Sequence, residues 1–233
     1  RHMYWEFRKH GESLNAIGSG MSIAVEQKMK SERMKTELIT NVSHDIKTPL
    51  TSVINYADLL QRPGLSEEER SEYLAVLSRQ SQRLKKLIED LVEASKASTG
   101  NIAVSLIPTD LGELLHQSCA EYAERLQASK LEAVLNLGEE PLSVLADGRL
   151  LWRVLDNLLG NACKYAMPGT RVYLDAKRAE GGVLLSIKNI SRAPLNVSAD
   201  ELMERFVRGD SARSSEGSGL GLSIARSLTE LQG

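Results

Sequence analysis

The clearest candidate for a reactive side chain in the N-terminal half is His44, within Ser43-His44-Asp45-Ile46-Lys47-Thr48-Pro49-Leu50. A neutral imidazole can act as a nucleophile through one ring nitrogen if a hydrogen bond holds the proton on the other. Asp45 supplies a nearby acceptor for that proton, and Pro49 is expected to bend the helix just after the site. Because a solvated surface histidine gives the same local pattern, both interpretations stay open until the C-terminal half is considered.

A pair of asparagines marks a second reactive region, in Asp156-Asn157-Leu158-Leu159-Gly160-Asn161-Ala162-Cys163-Lys164-Tyr165. Asn157 and Asn161 stand one turn apart on one face of a predicted helix. Neutral amide oxygens suit a hard cation such as Mg²⁺ whose charge is already balanced by phosphates. Lys164 and Tyr165 add donors to phosphate oxygens. The alternative is a helix with two surface asparagines, but asparagine is a poor helix former.

A glycine-rich turn runs into the last predicted helix, in Glu216-Gly217-Ser218-Gly219-Leu220-Gly221-Leu222-Ser223-Ile224-Ala225. Glycines let backbone N–H groups close around phosphate, and a helix N-terminus adds a favourable dipole. A dinucleotide-binding turn would need a strand directly before it and an acidic residue after it, and neither is present. A polar loop precedes it instead. This loop either resembles a mobile lid over a nucleotide, with Arg208 and Arg213 available to phosphates, or is a plain surface loop.

Composition narrows the class of protein. The 233 residues carry a formal net charge of −2, so neither nucleic acid nor an anionic membrane surface is indicated as a partner. Cys119 and Cys163 fall in amphipathic helical stretches and are typical of small hydrophobes in a reducing compartment. No window approaches the run of about 18 apolar residues that a spanning helix needs, and there is no secretory signal. The start at Arg1 is typical of a fragment.

Helical periodicity dominates the first hundred residues. Apolar side chains at helical spacing predict a first helix over about residues 13–61, ended by Arg62-Pro63-Gly64. Ser66 and Glu69 form a capping box for a second helix. A heptad pattern follows, through Leu74, Leu77, Leu84, Ile88, Leu91 and Ser95. Because a two-helix hairpin buries too little apolar surface alone, we expect a homodimer through residues 31–98, which completes a four-helix bundle.

The pattern changes after Ser98-Thr99-Gly100-Asn101, a predicted hinge. Predicted strands cover Ile102–Ile107, Leu131–Leu137, Ser143–Leu145, Val172–Ala176 and Val183–Ile190. Predicted helices run from a cap at Asp110 to about Ala128, over Arg149–Tyr165 and over Gly219–Leu231. This order predicts an α+β arrangement with helices on one face of a mixed sheet.

Together these motifs resemble the sensor histidine kinases of two-component systems, from about residue 12 to the end. The run around His44 is similar to the family's H box, Asn157–Tyr165 to its N box, Phe206 to its F box, and Gly217–Gly221 to the G2 box of the Bergerat-type ATP-binding fold. The resemblance implies an α+β protein: a helical hairpin forming a dimeric four-helix bundle, then a two-layer α/β sandwich.

The resemblance also implies a domain organisation. Residues 1–30 would be a signalling helix or linker, residues 31–98 the dimerisation and phosphotransfer hairpin, and residues 102–233 an ATP-binding domain that lacks its last strands. It further implies a missing N-terminal sensor with transmembrane helices, so that this chain would be the cytoplasmic portion of a cell-membrane protein.

The implied activity is ATP-dependent autophosphorylation of His44, followed by transfer to an aspartate on the receiver domain of a response regulator. Asp45 would orient His44 and act as general base, and Thr48 would serve a phosphatase activity. ATP and Mg²⁺ would be bound, with Asn161 and Asn157 as metal ligands. The implied nucleotide-binding residues are Asn157, Asn161, Lys164, Tyr165, Asn189, Phe206, Arg208, Arg213, Gly217, Gly219, Leu220 and Gly221.

One box departs from the family pattern. Where the G1 motif D-x-G-x-G should fall, the chain has Asn189 in place of the adenine-reading aspartate, and Ser191 and Ala193 in place of the glycines. The amide of Asn189 can still accept from the adenine amine, but a charge-assisted bond is lost. This keeps open a degenerate kinase that acts as a dimeric scaffold. A third hypothesis, an ATPase of the heat-shock or mismatch-repair type, shares the nucleotide fold but has no use for a His-Asp hairpin.

Overall fold

The computed structural model describes residues 21, 43, 45–98, 102–194, 196, 198, 202 and 219–233. The chain divides into two compact units, residues 1–44 and 45–233, and all described residues but Met21 and Ser43 belong to the second. Most of the predicted helical stripe before His44 therefore lies outside the described residues, as does the predicted lid loop. Within the described part of the chain, no helix is long and apolar enough to cross a membrane.

Two helices joined by a tight turn form the hairpin that the sequence predicts. The described part of α1 covers residues 45–60, and α2 covers Glu67–Ser98. Gly64 lies in the turn with φ +85°, a left-handed conformation that glycine adopts without strain. Ser66 Oγ accepts from the Glu69 N–H at 3.2 Å, and Glu69 Oε2 accepts from the Ser66 N–H at 2.9 Å. The predicted turn and capping box are confirmed.

Both helices of the hairpin expose large apolar side chains. Tyr56 and Tyr73 contact each other edge to face near the turn, with ring centroids 5.4 Å apart, and so tie α1 to α2. Several other apolar side chains remain exposed in the single chain: Leu50, Ile54, Leu74, Ile88 and Val92. An apolar surface of this kind is expected where a partner helix packs.

The C-terminal region, residues 102–233, is a layered α/β structure. Its elements are β1 (Ile107–Asp110), α3 (Leu111–Ala128), β2 (Glu132–Leu137), β3 (Ser143–Ala146), α4 (Gly148–Tyr165), β4 (Arg171–Ala179), β5 (Gly182–Asn189) and α5 (Gly221–Glu230). The strand order of the main sheet is β2-β4-β5, with β2 parallel to β4 and β4 antiparallel to β5. A separate antiparallel pair joins β1 to β3. The expected mixed sheet is confirmed.

Two apolar clusters hold these elements together. The larger one packs α3 and α4 on one face of the main sheet, with Leu115, Leu155, Leu159, Val172 and Leu174 fully buried. Each such side chain contributes about 2 kcal/mol of burial free energy. The smaller cluster joins α2, α4 and α5 through Ala94, Val154, Leu220, Ile224, Ala225 and Leu228. Helix α4 belongs to both clusters, so its position in the fold is strongly constrained.

Several predicted boundaries differ from the structure, such as that of β4, which extends to Ala179, and two of them have a clear physical reason. Residues 102–106 have no regular structure, and the strand lies at β1 instead, because its pairing with β3 runs from Ile107 opposite Ala146 to Asp110 opposite Ser143. The last helix begins at Gly221 rather than Gly219, because Gly219 has φ +68° and cannot continue a right-handed helix. The predicted Asp110 cap is confirmed: its carboxylate accepts from the N–H groups of Gly112 and Glu113.

Candidate functional site

The N-terminus of α4 is fixed by a capping aspartate, Asp147, which was not predicted from the sequence. Asp147 Oδ1 accepts from the Arg149 N–H at 3.0 Å, and Oδ2 accepts from the Ser105 N–H at 3.1 Å. The side-chain hydrogen bond from Arg149, at 2.9 Å, is the main cause that lowers the pKa of Asp147 to about 2. The signal was available, because Asp-Gly directly before an apolar helical run marks an N-cap.

Asn157 lies on the buried side of α4, 8% exposed, in a defined orientation. Its Nδ2 donates to the carbonyl oxygen of Arg153 at 3.0 Å, which leaves Oδ1 on the opposite side of the amide. A Cβ placed on Gly221 would lie 3.2 Å from that Oδ1 and 3.7 Å from Nδ2 of Asn161. The start of α5 therefore lies directly against the asparagine pair, at a distance that only glycine permits without a shift.

The approach to α5 has the features of an anion site. Gly219 adopts a left-handed conformation, and Leu220 anchors the turn by burying its side chain in the smaller apolar cluster. Among the described residues, no side-chain hydrogen bond at Leu220 caps the first turn of α5. A helix N-terminus presents backbone N–H groups and a positive dipole end, which together favour phosphate. The asparagine pair and the predicted phosphate-binding turn, some 60 residues apart in sequence, thus lie against each other, and the two together are called the cradle below.

A second group of predicted residues meets at the C-terminal end of α4. Lys164 is exposed and Tyr165 is half-buried there. The carbonyl oxygen of Tyr165 accepts from the Arg192 N–H at 2.9 Å, and Ala166 forms a β-bridge with Ser191. The segment after β5, which begins at Asn189 and holds the altered G1 box, is therefore tied to the same helix as the asparagine pair.

The other predicted residues fall into two groups. Asp45 and Thr48 lie on α1, about one turn apart; Asp45 is half-buried and Thr48 is exposed. Those outside the described residues are His44, Phe206, Arg208, Arg213 and Gly217. Helix α4 thus brings together the asparagine pair, Lys164, Tyr165, the G1 segment and the start of α5.

A charged network beside the asparagine pair was not predicted. Asp156 Oδ1 accepts from the Tyr122 hydroxyl at 2.5 Å, and its Oδ2 accepts from Arg153 Nη1 at 3.0 Å. Burial acts to raise the pKa of Asp156, but the Tyr122 hydrogen bond and the positive charges of Lys86, Arg153 and Arg125 outweigh it and lower that pKa. Arg153 and Asp156 stand three residues apart on a predicted helix, so their pairing could be predicted from the sequence. The partners of Arg153 on α2 could not be predicted in this way.

Two family matches give the class of protein that this fold and site define. Residues 34–100 match the His Kinase A (phospho-acceptor) domain. Residues 146–233 match the histidine kinase-, DNA gyrase B- and HSP90-like ATPase family. A phospho-acceptor hairpin followed by an ATPase domain of this type is the arrangement of a protein-histidine kinase. The chain belongs to the sensor histidine kinases of two-component systems.

Individual relatives agree with this assignment. The sensor protein VanSC of Enterococcus gallinarum is 33% identical over 202 residues, which are 85% of this chain and 55% of the relative. The sensor protein DivL of Caulobacter vibrioides is 32% identical over 206 residues, 88% of this chain and 26% of the relative. The structure of full-length ShkA in complex with AMPPNP matches with 29% identity and a TM-score of 0.59, over 84% of this chain and 41% of that one. The chain spans between about a quarter and just over half of the length of these relatives.

Proposed function

We propose that this chain is the kinase portion of a sensor histidine kinase that transfers the γ-phosphoryl group of ATP to His44 and then to an aspartate of a response regulator. The observation that carries this proposal is the close approach of Gly221 to Asn157 and Asn161, which leaves little room for a side chain there. It joins the two motifs expected to hold the nucleotide's phosphates. Membership of the histidine kinase family supports the identity of the acceptor.

The residues of the cradle fit a magnesium nucleotide. Asn161, helped by Asn157, holds the metal through amide oxygens, which suit a hard cation already neutralised by phosphates. When bound, Mg²⁺ neutralises charge that develops on the transferred group. The donors to phosphate oxygens are Lys164, Tyr165, Arg208, Arg213 and the backbone at Gly217, Gly219, Leu220 and Gly221. Asn189 accepts a hydrogen bond from the adenine amine, and Phe206 is a further nucleotide-binding residue of this proposal.

The transfer has two balanced steps. One ring nitrogen of His44 attacks the γ-phosphorus; an N–P bond forms, the bond from phosphorus to the bridging oxygen breaks, and ADP leaves. Asp45 accepts the proton of the other ring nitrogen and keeps the imidazole oriented. A carboxylate oxygen of the regulator's aspartate then attacks the phosphorus, the N–P bond breaks, and Asp45 returns the proton so that His44 leaves as a neutral imidazole. Thr48 orients a water against the phosphorylated regulator in a phosphatase reaction.

The degenerate scaffold is the second candidate, and only the altered G1 box favours it. Backbone hydrogen bonds nevertheless tie that segment to the end of α4, where Asn189 keeps an amide carbonyl for the adenine amine. Nothing in the family matches favours loss of activity. A magnesium-dependent ATP titration separates the two, since a scaffold would show no saturable binding.

The test of the proposed function is incubation of the purified chain with γ-labelled ATP and Mg²⁺. Label that is acid-labile and base-stable is expected, which would also exclude an ATPase of the heat-shock or mismatch-repair type. His44→Ala should abolish the label and leave nucleotide binding intact. His116→Ala is the matched control, because His116 is exposed on α3. Label that survives His44→Ala, or that disappears with His116→Ala, would refute the assignment.

The proposal extends to assembly and location. Residues 31–98 of two copies pair into a four-helix bundle through the exposed apolar side chains of α1 and α2. The receiver domain of a response regulator docks on this bundle to reach His44. A membrane-spanning sensor segment precedes the chain in the whole protein, which places this portion on the cytoplasmic side.

A further inference from the structure

A buried tyrosine of α3 is hydrogen bonded to the middle of α4. Tyr122 belongs to the larger apolar cluster and is 3% exposed, and the Arg125 guanidinium lies 4.4 Å from the centroid of its ring. The Tyr122 hydroxyl donates to the main-chain carbonyl oxygen of Asp156 at 2.9 Å and to Oδ1 of the same residue at 2.5 Å. Because the ring is packed in the core, the hydroxyl has a defined position on α4.

The carbonyl oxygen of Asp156 also belongs to the hydrogen-bond ladder of α4. In an α-helix the carbonyl of one residue accepts from the N–H four residues later, which here is that of Gly160. A carbonyl oxygen has two lone pairs, so it can accept from Gly160 and from Tyr122 together. A Cβ placed on Gly160 would lie 3.5 Å from the Tyr122 hydroxyl, so the two helices approach closely at this point. A side chain that bonds into the ladder changes the local path of a helix, and the hydroxyl therefore shapes this turn.

The same turn of α4 carries the asparagine pair. Asn157 and Asn161 directly follow the residues at its two ends. The amide of Asn157 is fixed by its hydrogen bond to the Arg153 carbonyl oxygen. Among the described residues, no hydrogen bond fixes the side-chain amide of Asn161. The position of the Asn161 oxygen relative to Asn157 therefore depends on the backbone of this turn, to which the Tyr122 hydroxyl is bonded.

The spacing of the two amides bears on which cation they can hold. Mg²⁺ demands near-ideal octahedral geometry, with oxygen ligands at about 2.0–2.1 Å. Ca²⁺ accepts six to eight oxygens in a flexible arrangement, at about 2.3–2.6 Å. A small change in the spacing of the asparagine pair is therefore expected to weaken a magnesium complex more than a calcium complex.

We propose that Tyr122 is a positioning residue that sets the spacing of Asn157 and Asn161, and thereby the preference of the site for Mg²⁺ over Ca²⁺. This inference rests on the proposed function, which places the metal at this asparagine pair. Tyr122 acts through the main chain of α4, because its hydroxyl is bonded to Asp156. Groups that orient metal ligands in this indirect way commonly change metal affinity when they are removed. A tyrosine that only packs α3 on α4 would instead affect every nucleotide complex alike.

The test compares Tyr122→Phe, which removes only the hydroxyl, with Tyr173→Phe. Tyr173 is the matched control, because it alternates with the buried Val172 and Leu174 on β4 and so lies on the face of the sheet that α3 and α4 leave uncovered. In calorimetric titrations, Tyr122→Phe should raise the Kd for magnesium ATP about fivefold and keep the Kd for calcium ATP within about twofold of wild type. Tyr173→Phe should change neither constant.

A second variant and a second measurement keep the test decisive if Tyr122→Phe is less stable. Asp156→Asn keeps the main-chain carbonyl that accepts from Tyr122, so the ratio of the two dissociation constants should stay within about twofold of wild type. In the nucleotide-free chain, amide hydrogen exchange at Gly160 and Asn161 should be faster in Tyr122→Phe than in wild type.

The outcomes separate this inference from the proposed function. Equal weakening of the magnesium and calcium complexes by Tyr122→Phe, or an unchanged Kd for magnesium ATP, would overturn the positioning role. Unchanged hydrogen exchange at Gly160 would overturn it as well. A wild type that binds neither complex saturably would instead refute the proposed function, while hydrogen exchange would still report whether Tyr122 holds this turn of α4.

Discussion

The missing side chain at Gly221 sets how closely the start of α5 approaches the asparagine pair. Asn157 cannot readily yield space, since it is buried and donates to the Arg153 carbonyl. The hydrogen bond also aims the Asn157 carbonyl away from Arg153, toward the start of α5. One glycine therefore sets the distance between the amides proposed to bind the metal and the backbone proposed to bind phosphate.

A methyl group at this position provides a residue-scale test. Gly221→Ala should weaken magnesium ATP binding about tenfold, because the new Cβ would lie 3.2 Å from Asn157 Oδ1 and displace that amide. The melting temperature should hold or rise slightly, because alanine favours a helix over glycine. Gly182→Ala is the matched control, since a Cβ there meets nothing within 4 Å. Nucleotide affinity is measured by calorimetric titration. Equal affinity in the two variants would show that the close approach at Gly221 is not needed for nucleotide binding.

The contacts of individual residues could be predicted where the partner is close in sequence, or where several motif residues follow one another. The spacing of Asn157 and Asn161 and the Ser66–Glu69 capping box could be read directly, because helical geometry fixes neighbours three or four residues apart. The partners of Arg153 could not. Asp90 and Glu93 lie 63 and 60 residues away in sequence, and only the packing of α2 on α4 brings them together.

At the scale of elements, α4 positions most of the described site. Its N-terminus is held by Asp147, its middle carries the asparagine pair, and its C-terminal end holds the G1 segment. Asp147 is 3% exposed, so its carboxylate is removed from solvent except through its hydrogen-bond partners. Stability of α4 should therefore depend on the ionisation of this one cap.

The pH dependence of Asp147 has a defined sign. Because its pKa is lowered to about 2 in the folded state, the unfolded chain binds more protons between that value and the ordinary one. The stabilisation is therefore complete above about pH 4 and lost as the pH falls through about 2. Asp147→Asn should lower the free energy of unfolding by about 1–2 kcal/mol at neutral pH, since the exposed Arg149 partner is screened by solvent.

Urea unfolding of both proteins across this pH range gives the measurement. The difference between wild type and Asp147→Asn should shrink toward zero near pH 2. The cap of α3 supplies a control: Asp110→Asn should cost less than about 0.5 kcal/mol at neutral pH, because asparagine caps as well as aspartate. A difference for Asp147→Asn that grows as the pH falls would contradict the assignment.

Helices could be predicted because the periodicity of their own apolar residues determines them. Short strands were harder to predict, because their position depends on hydrogen bonding to another strand. Helices α2, α3 and α4 follow from apolar periodicity, and the caps of α2 and α3 were predicted as well. Strand β1 was misplaced, because the apolar run 102–107 suggested a strand while hydrogen bonding to β3 selects Ile107–Asp110. Tertiary pairing overrides local propensity most readily in short strands.

At the scale of the whole molecule, the hairpin exposes apolar side chains on both helices, and their exposure to water is unfavourable in a single chain. These side chains recur along both helices, as the heptad pattern of α2 leads one to expect. The layered C-terminal region also exposes single apolar residues, such as Leu184 on the open face of the sheet. The exposed apolar side chains recur along the hairpin helices but stand singly on the C-terminal region. Only the hairpin is therefore expected to pair with a second copy.

Two leucines of equal exposure test this expectation. Leu74 on α2 and Leu184 on β5 are both 53% exposed in the single chain. Leu74→Gln should raise the dimer dissociation constant about tenfold, because it places a polar group in the paired seam, whereas Leu184→Gln should leave it unchanged. Sedimentation equilibrium over a concentration series measures both. A monomeric wild type, or equal effects of the two substitutions, would contradict dimerisation through residues 31–98.

The measurement that bears most directly on the function is the location of the phosphoryl group. After incubation with magnesium ATP, mass spectrometry of peptides kept at alkaline pH should place one phosphate on His44, within the tryptic peptide of residues 36–47. The same peptide from Asn161→Asp should stay unmodified, because an added negative charge in the cradle repels the phosphates. Phosphate on a serine or threonine, or full modification of the Asn161→Asp chain, would contradict the transfer from this cradle to His44.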